Sequence, residues 1–594
     1  MFRKVVLNAG IRRNLYATTV RTYKHTAGTF AIAGSISITA VLYGQEFNTS
    51  CEQQIELPYI SLPVVEVVDI SKMQEIQKES IIGAFIRSAK KATCEVAKTT
   101  VKAARYAQRL LLYALYGLPM TVLLPTSYVV GSSVPAVEEF TWDYIIWSIQ
   151  HLGPCFVKLA QWASTRPDLF PPRLVGRLVK LQDDVAVTHP RDTIEKTLTA
   201  AFGSTWKDLI DLDPNPLGAG SVAQVFKGRL KKEMKSAIDS GVDMLGRKKA
   251  MIAEIFPAGK EVAIKMIHPH VEALVRTDME LLDIFAWAID HIPSLEILSL
   301  GETCRQFAET MNKQLDLRVE AHNLITFSEK FAQDKWASFP SPIDTLISKN
   351  VMVETLFSGT PINHYMNLKA EEGSEVHALK MKLSDLGCRL ILKMVFFDNF
   401  VHGDLHPGNI MVEIQPNGEP RLQVLDCGIV YAVKSEEEYR NLVEICLAFM
   451  KHDGLTAGRR MIANNSHASV KDADAFCQGV QKLVEDCEQH SYFEHLGEYV
   501  GRVCELSRLH HVRMDPSYFK IAMALKVAEG ISLAFNKDLD LVSKCIPIIV
   551  KAQALRAMGV TNFPKPEDDP NRAKDSRQVA GQSNSSSDSS SNRR

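Results

Sequence analysis

Within the run Phe400-Val-His-Gly-Asp-Leu-His-Pro-Gly-Asn-Ile-Met-Val412, Asp404 stands five residues before Asn409, and an apolar strand-like stretch closes the run. A second apolar stretch ends in Leu425-Asp-Cys-Gly428. Two acidic loop ends and an amide at this spacing suit magnesium–nucleotide phosphotransfer. Asp404 can orient or deprotonate a nucleophile, while Asn409 and Asp426 can hold a metal that bridges phosphates.

The other parts of such a site lie upstream. Leu217, Gly218, Ala219, Gly220, Ser221, Val222, Ala223, Gln224 and Val225 form a small-residue turn entering a strand. Gly218 and Gly220 permit positive φ and a close backbone approach to phosphate oxygens. Glu261-Val-Ala-Ile-Lys265 then reads as an alternating strand whose lysine is placed to meet phosphate. Phosphate loop, strand lysine and catalytic loop follow in the order that kinases use.

Three further segments give the chain a more specific resemblance. Leu152-Gly-Pro-Cys-Phe-Val-Lys-Leu-Ala-Gln161, with Ser164 to Pro171 and Leu181-Gln-Asp183 behind it, resembles the Lys-x-Gly-Gln extension of the UbiB, or aarF-domain-containing, family of atypical kinases. Ser221-Val-Ala-Gln224 resembles that family's alanine-rich loop, and Gln314 to Asn323 resembles its Glu-x-Asp…Glu-Ala-x-Asn helix. The match covers roughly residues 140–430.

The resemblance implies an α+β, helix-rich, protein-kinase-like bilobal fold with an N-terminal helical extension. It implies ATP and Mg2+ as cofactors. By the same carry-over Asp404 and Lys265 are catalytic, and Lys265 pairs with Glu320. The 217–225 turn cradles the nucleotide, Asn409 and Asp426 bind metal, and Glu354 and Leu356 lie near the strand that recognises adenine. Lys158 and Gln161 of the extension fold over the active site. Three positions depart from the pattern: Ala160 replaces glycine, Gln314 replaces glutamate, and Cys427 stands where kinases place phenylalanine. Gln314 removes one acidic partner for the extension lysine and leaves Asp316.

At 594 residues the chain is long enough for a bilobal unit with appendages. A formal net charge of −1 gives no case for nucleic-acid binding. The 11 cysteines show no paired C-x-x-C spacing, so neither a zinc site nor a disulfide framework is indicated.

Residues 1–25 have the composition of a mitochondrial transit peptide: basic through Arg3, Lys4, Arg12, Arg13, Arg21 and Lys24, with no acid before Glu46. Residues 26–45 are uncharged and form a candidate transmembrane helix. A membrane-proximal helical extension is expected over 70–205, basic and amphipathic through 71–109. Leu110 to Val137 carries no charge, and Pro119 and Pro125 are expected to interrupt any straight helix there. For that stretch a membrane-dipping segment, a buried helix pair and a true span stay open. The small lobe is expected over 206–358 with a polar insert at 230–259. The large lobe is expected over 359–560, and a disordered serine-rich tail over 561–594.

These readings converge on a mitochondrial, inner-membrane-associated enzyme that binds ATP and membrane lipid. The resemblance points to coenzyme Q or lipid metabolism, with coenzyme Q biosynthesis proteins as partners. A small-molecule phosphotransferase of the aminoglycoside/choline kinase type and a catalytically inactive nucleotide- or lipid-binding scaffold remain as alternatives.

Overall fold

The computed structural model describes residues 70–130, 134–164, 177–178, 189–237, 254–291, 300–433, 435–462, 470–488, 496–510, 512, 516–536 and 541–557. The expected transit peptide, the candidate span at 26–45, residues 165–171 and 181–183 of the extension motif, most of the polar insert and the 561–594 tail lie outside them. The chain forms two units, one up to Pro119 and one from Met120 on. That boundary falls inside the expected 70–205 extension.

Helix α1 spans Ile70–Val130 and runs through both Pro119 and Pro125, contrary to the expected interruption. Each proline removes one backbone hydrogen bond. Thr99–Ser127 is long and apolar enough to cross a membrane, and none of its most apolar window is buried. Leu111, Leu115, Leu118 and Val122 are all exposed along it.

In the second unit, α2 (Pro135–Leu152), α3 (Pro154–Ser164) and α4 (Arg191–Phe202) precede the small lobe. That lobe is an antiparallel five-stranded sheet of order β1-β2-β5-β8-β7. Its strands are β1 (Ile210–Ala219), β2 (Ala223–Leu230), β5 (Glu261–Ile267), β7 (Pro342–Ile347) and β8 (Val351–Thr355). Two short strands, β3 (Met234–Lys235) and β4 (Ile255–Phe256), pair at the described ends of the polar insert. Helices α5 (Val271–Asp290), α6 (Leu300–Gln314) and α7 (Leu317–Lys330) lie between β5 and β7 in sequence, with β6 (Ala337–Ser338) after them.

Strand alternation sorts the sheet's two faces. Val262, Ile264, Met266, Val351 and Val353 fill a core that includes Phe226 and Trp206. Ala263, Lys265, Ile267, Met352 and Glu354 occupy the other face, where Ile267 and Met352 join the main core. That core also takes in Cys155, Ala160, Trp162 and Ala163 of α3. The Trp162 and Phe307 rings lie 5.7 Å apart, so α3 is built into the main core.

Helix α7 carries its own start signal: the Asp316 side chain accepts from the Arg318 N–H at 3.1 Å and caps the helix. Leu317, Ala321, Leu324 and Phe327 recur on one face, and all are buried. Phe327 stacks on Phe339 at 4.7 Å and meets Phe400 edge-on at 4.7 Å. Truncating an aromatic ring so enclosed costs about 3–5 kcal/mol. This packing fixes the helix that presents Glu320.

The large lobe opens with β9 (Thr360–Pro361), α8 (Ile362–Asn367) and α9 (Glu375–Leu392), which ends in a π-helical turn at Lys393–Phe397. Strands β10 (Val401–His402), β11 (Ile410–Ile414), β12 (Pro420–Val424) and β13 (Val430–Tyr431) carry the loops of interest. Helices α10 (Glu436–Met450), α11 (Gly454–Ile462), α12 (Val470–Glu488), α13 (Leu496–Leu509), α14 (Pro516–Phe535) and α15 (Leu541–Ala557) complete the lobe. The architecture is α+β and kinase-like, with helices predominating.

Candidate active site

Lys265 leaves the middle of β5 on the face that looks away from the small-lobe core. Its Nζ lies 2.7 Å from Glu320 Oε1 and 3.0 Å from Asp426 Oδ1. The Lys265 and Glu320 side chains are nearly enclosed, at 12% and 5% exposure, whereas Asp426 is 48% exposed. One ammonium thus joins the sheet, helix α7 and the loop after β12.

Burial works to lower the Lys265 ammonium, but Asp426, Glu320 and Glu354 outweigh it and hold it above its ordinary value. Burial lifts Glu320 to about 7 against the pull of Lys265. For Asp426 desolvation acts upward, yet Lys265 and then Lys158 hold it well below the carboxylate range.

Hydrogen bonds stitch the two acidic loops together. The Leu425 N–H donates to the Asn409 carbonyl at 2.8 Å, and the Gly403 N–H to the Ile429 carbonyl at 2.8 Å. Buried His402 accepts from the Asp404 N–H at Nδ1, 3.2 Å, and its Nε2 meets the Leu425 carbonyl at 3.2 Å. That pattern makes Nε2 the protonated nitrogen, and burial keeps the ring below its ordinary pKa, in the neutral form. The Asn409 side-chain amide donates to the Asp404 carbonyl at 3.0 Å, which leaves its oxygen for a ligand. A side chain at Gly403 would place Cβ 2.5 Å from the Tyr431 ring, so only glycine fits between His402 and Asp404.

Asp426 itself adopts φ +50, a left-handed conformation that aspartate tolerates better than most residues. The next residue is anchored: the buried Asn323 amide donates to the Cys427 carbonyl at 2.8 Å. Cys427 is fully buried in the main core, and burial pushes its thiol well above the ordinary value. It packs as an apolar side chain there.

The 217–225 turn differs from expectation in two respects. Neither Gly218 nor Gly220 takes a positive φ. The Gly220 N–H closes the turn on the Ala223 carbonyl at 2.8 Å, and His268 Nε2 lies 2.9 Å from the Gly220 carbonyl. His268 is braced in turn by His189 at 2.9 Å. A Cβ at Gly218 would meet nothing within 4 Å, so open space rather than backbone strain distinguishes that position. The second difference concerns Gln224. It pairs with Met266 and sits on the small-lobe core face, so its side chain does not share the face of Lys265. Val225, opposite Lys265, and Ala223, opposite Ile267, do.

The extension reaches the site electrostatically. Lys158 of α3 acts on both Asp426 and Glu320, and Gln161 follows one turn later. Asp316, expected as the remaining acidic partner of the extension lysine, is instead taken by Arg318 at 2.6 Å. Ala160 is buried in the core, where a methyl group has a place that glycine would leave empty.

These residues fit a magnesium nucleotide. In the turn the Ser221 hydroxyl is enclosed without a partner, and a Cβ at Gly218 would meet nothing within 4 Å. Asn409 and Asp426 offer one amide and one carboxylate oxygen donor. Among the described residues no three His, Cys, Asp or Glu side chains group as metal ligands. A hard cation held by Asn409 and Asp426 therefore calls for phosphate or water oxygens to complete its shell.

Sequence reasoning missed His402, Asn323 and the His189–His268 brace. Asn323 and His402 stand in runs that the sequence singles out, Glu-Ala-His-Asn and His-Gly-Asp, yet neither received a role there.

The lobes and the lysine–glutamate–aspartate junction define a protein-kinase-like fold. Residues 250–459 match the model of the ABC1 atypical kinase-like domain. A mitochondrial ABC1 family protein of Saccharomyces cerevisiae is 28% identical over 489 residues, covering 73% of this chain and 72% of that protein. A UbiB protein of Enterobacter sp. (strain 638) is 27% identical over 407 residues, covering 68% of each. The solved complex of Rv3197 with erythromycin from Mycobacterium tuberculosis aligns at a TM-score of 0.38 and 17% identity, over 68% of this chain and 88% of that one. The chain thus carries an ABC1 atypical kinase-like domain over residues 250–459 and is similar to proteins named for the ABC1 and UbiB families.

Proposed function

We propose that the protein is a mitochondrial UbiB-type kinase or ATPase that binds Mg-ATP and supports coenzyme Q or lipid metabolism from a membrane. The observation that carries the catalytic reading is Lys265, held between Glu320 and Asp426 and joined through the latter's loop to Asp404 and Asn409. A bound Mg-ATP supplies the transferable γ-phosphoryl group and the charge-neutralising metal.

The chain's own residues do the rest. Glu320 would keep the Lys265 ammonium directed at phosphate, with Asp426 then free to serve as a metal ligand. Asn409 and Asp426 would hold the metal, which would neutralise phosphate charge there. Asp404 orients the acceptor hydroxyl or water. The 217–225 turn, with the Ser221 hydroxyl and the space at Gly218, cradles the phosphates. Lys158 and Gln161 cover the site from the extension.

The mitochondrial placement draws on the relative named as mitochondrial and on the basic, acid-free N-terminus. The membrane reading draws on exposed, apolar Thr99–Ser127. The coenzyme Q link rests on the UbiB resemblance. The test is Mg-ATP binding and turnover by the full-length protein with and without liposomes, beside Asp404→Asn. Expected is Mg-dependent binding in both and turnover only in the parent chain. Equal turnover in the two would overturn the catalytic reading in favour of a nucleotide-binding scaffold.

A further inference from the structure

Most carbonyls of the small-residue turn are already taken, and two of them end on one residue. The Gly220 N–H donates to the Ala223 carbonyl, and the His268 main-chain N–H donates to the Val222 carbonyl at 2.9 Å. The His268 ring takes the Gly220 carbonyl at 2.9 Å. A backbone concavity that binds phosphate has to show it N–H groups and turn its carbonyls away.

His268 makes these contacts from the sheet face opposite Lys265. Next after Ile267, it falls by alternation on the face of Ile264 and Met266, toward the small-lobe core, and it is buried. A trans peptide points its C=O and the following N–H in opposite directions. With the Gly220 carbonyl drawn to the His268 side, the Ser221 N–H is aimed toward the side of Lys265. The hydroxyl of the same serine is enclosed without a partner.

The hydrogens on the two rings follow from their partners. A carbonyl only accepts, so His268 carries its hydrogen on Nε2. Burial keeps both rings below the ordinary histidine value, with His268 and then His270 adding to the effect at His189, so both are neutral at pH 7. Nδ1 of His268 is then an acceptor, and Nε2–H of His189, 2.9 Å away, donates to it. His189 is held in place by the helix that follows it, since α4 buries Ile194 and Leu198 in the small-lobe core. The result is a one-way chain of donors from His189 through His268 to Gly220.

Resting on the nucleotide reading above, we propose that His268, its hydrogen fixed by His189, is the positioning residue of the phosphate turn: it holds the Gly220 carbonyl behind the sheet so that the Ser221 N–H donates to a nucleotide phosphate. Both histidines act through the turn rather than on the nucleotide. Without the ring donor, the peptide between Gly220 and Ser221 is free to rotate its carbonyl toward the phosphates, which repel it.

Calorimetric titration of the full-length protein with Mg-ATP and with adenosine tests this on the parent chain, His268→Phe and His268→Gln. His268→Phe keeps a ring and loses the donor, so Mg-ATP affinity should fall about tenfold, in keeping with one hydrogen bond to a charged group. His268→Gln puts an amide N–H where Nε2–H stood and should stay within about twofold of the parent. Adenosine, with no phosphate for the turn, should bind the parent and His268→Phe alike.

Mg-ATP affinity unchanged in His268→Phe, or lost equally in His268→Gln, overturns the inference, and so does an equal loss for adenosine. If His268→Phe fails to fold, His189→Leu and His189→Gln supply the comparison. The glutamine, a donor, should hold Mg-ATP affinity at the parent level and the leucine should lower it; equal affinities overturn the inference. A parent chain that binds no Mg-ATP removes the nucleotide reading itself.

Discussion

The side-chain amide of Asn323 donates to the main-chain carbonyl of Cys427 across 104 residues of sequence, at 2.8 Å and fully buried. Asn323 stands one helical turn after Glu320 on α7, and Cys427 follows Asp426. The same helix therefore positions the glutamate that holds Lys265 and the loop that brings Asp426 to it. Sheet, helix and metal loop are set as one constellation.

Removing that tie should loosen the constellation. Asn323→Ala leaves the Cys427 carbonyl without its buried donor, at a cost of about 1–3 kcal/mol. Thermal unfolding should register the loss, and Mg-ATP affinity should fall further than in a core variant of matched stability. Equal affinities in two such matched variants would assign Asn323 a role in stability alone.

Breaking the buried ion pair should cost more. Glu320→Ala leaves Lys265 hydrogen-bonded to the half-exposed Asp426 alone, and losing one partner of a buried pair is worth about 3–5 kcal/mol. Denaturant unfolding in the absence of nucleotide measures it. Asp426→Asn, which spares the enclosed pair, should cost clearly less yet abolish Mg-dependence of nucleotide binding.

Stability without nucleotide should fall as pH rises from about 5 to 8. Glu320 and Glu354 sit at about 7 and about 8 in the folded chain, above their ordinary value of 4.5. Over that window the folded state binds more protons than the unfolded one, so the slope of stability against pH is negative. A single site contributes at most about 1.4 kcal/mol per pH unit. Glu354→Gln should flatten the curve in unfolding measured across this range. A slope unchanged in the variant would mean that Glu354 is already ionised.

Away from the site, α11 packs on α12 through two glycines. A Cβ at Gly454 would lie 2.6 Å from Gln481 Cα, and one at Gly458 2.9 Å from Cys477 Cα. Gly454→Ala should lower stability by about 1–3 kcal/mol through overpacking. Nucleotide affinity, measured well below the melting point, should be unaltered. A large change in affinity would show that this helix pair communicates with the cleft.

Residues 1–45 fused to a fluorescent reporter should send it to mitochondria. A reporter that stays in the cytosol would remove the mitochondrial assignment.

Much of the site was legible because its chemistry is written in short, contiguous runs. Asp404 with Asn409, the Asp-Cys-Gly end and the Val-Ala-Ile-Lys strand each announce a loop or strand whose local geometry follows from turn residues and alternation. The α+β kinase-like class followed from the order of those runs. Local rules failed where context decides. Pro119 and Pro125 do not break α1: each removes one backbone hydrogen bond from a helix that continues on both sides of it. Gly218 and Gly220 need no positive φ, because a turn closed by a main-chain hydrogen bond and braced by His268 does not require one.

By itself the sequence determined which residues are chemically able to handle phosphate and metal, since residue type and short spacing suffice for that. Tertiary structure decided which of them meet. Strand register alone separates Lys265, Ala263 and Glu354 from Gln224, one residue of alternation apart. Only packing across more than 100 positions brings Asn323 to Cys427. It also gives Asp316 to Arg318, while the charge of Lys158 acts on Glu320 and Asp426. A side chain's partner is set by three-dimensional proximity, which a linear pattern encodes only where the contact is local.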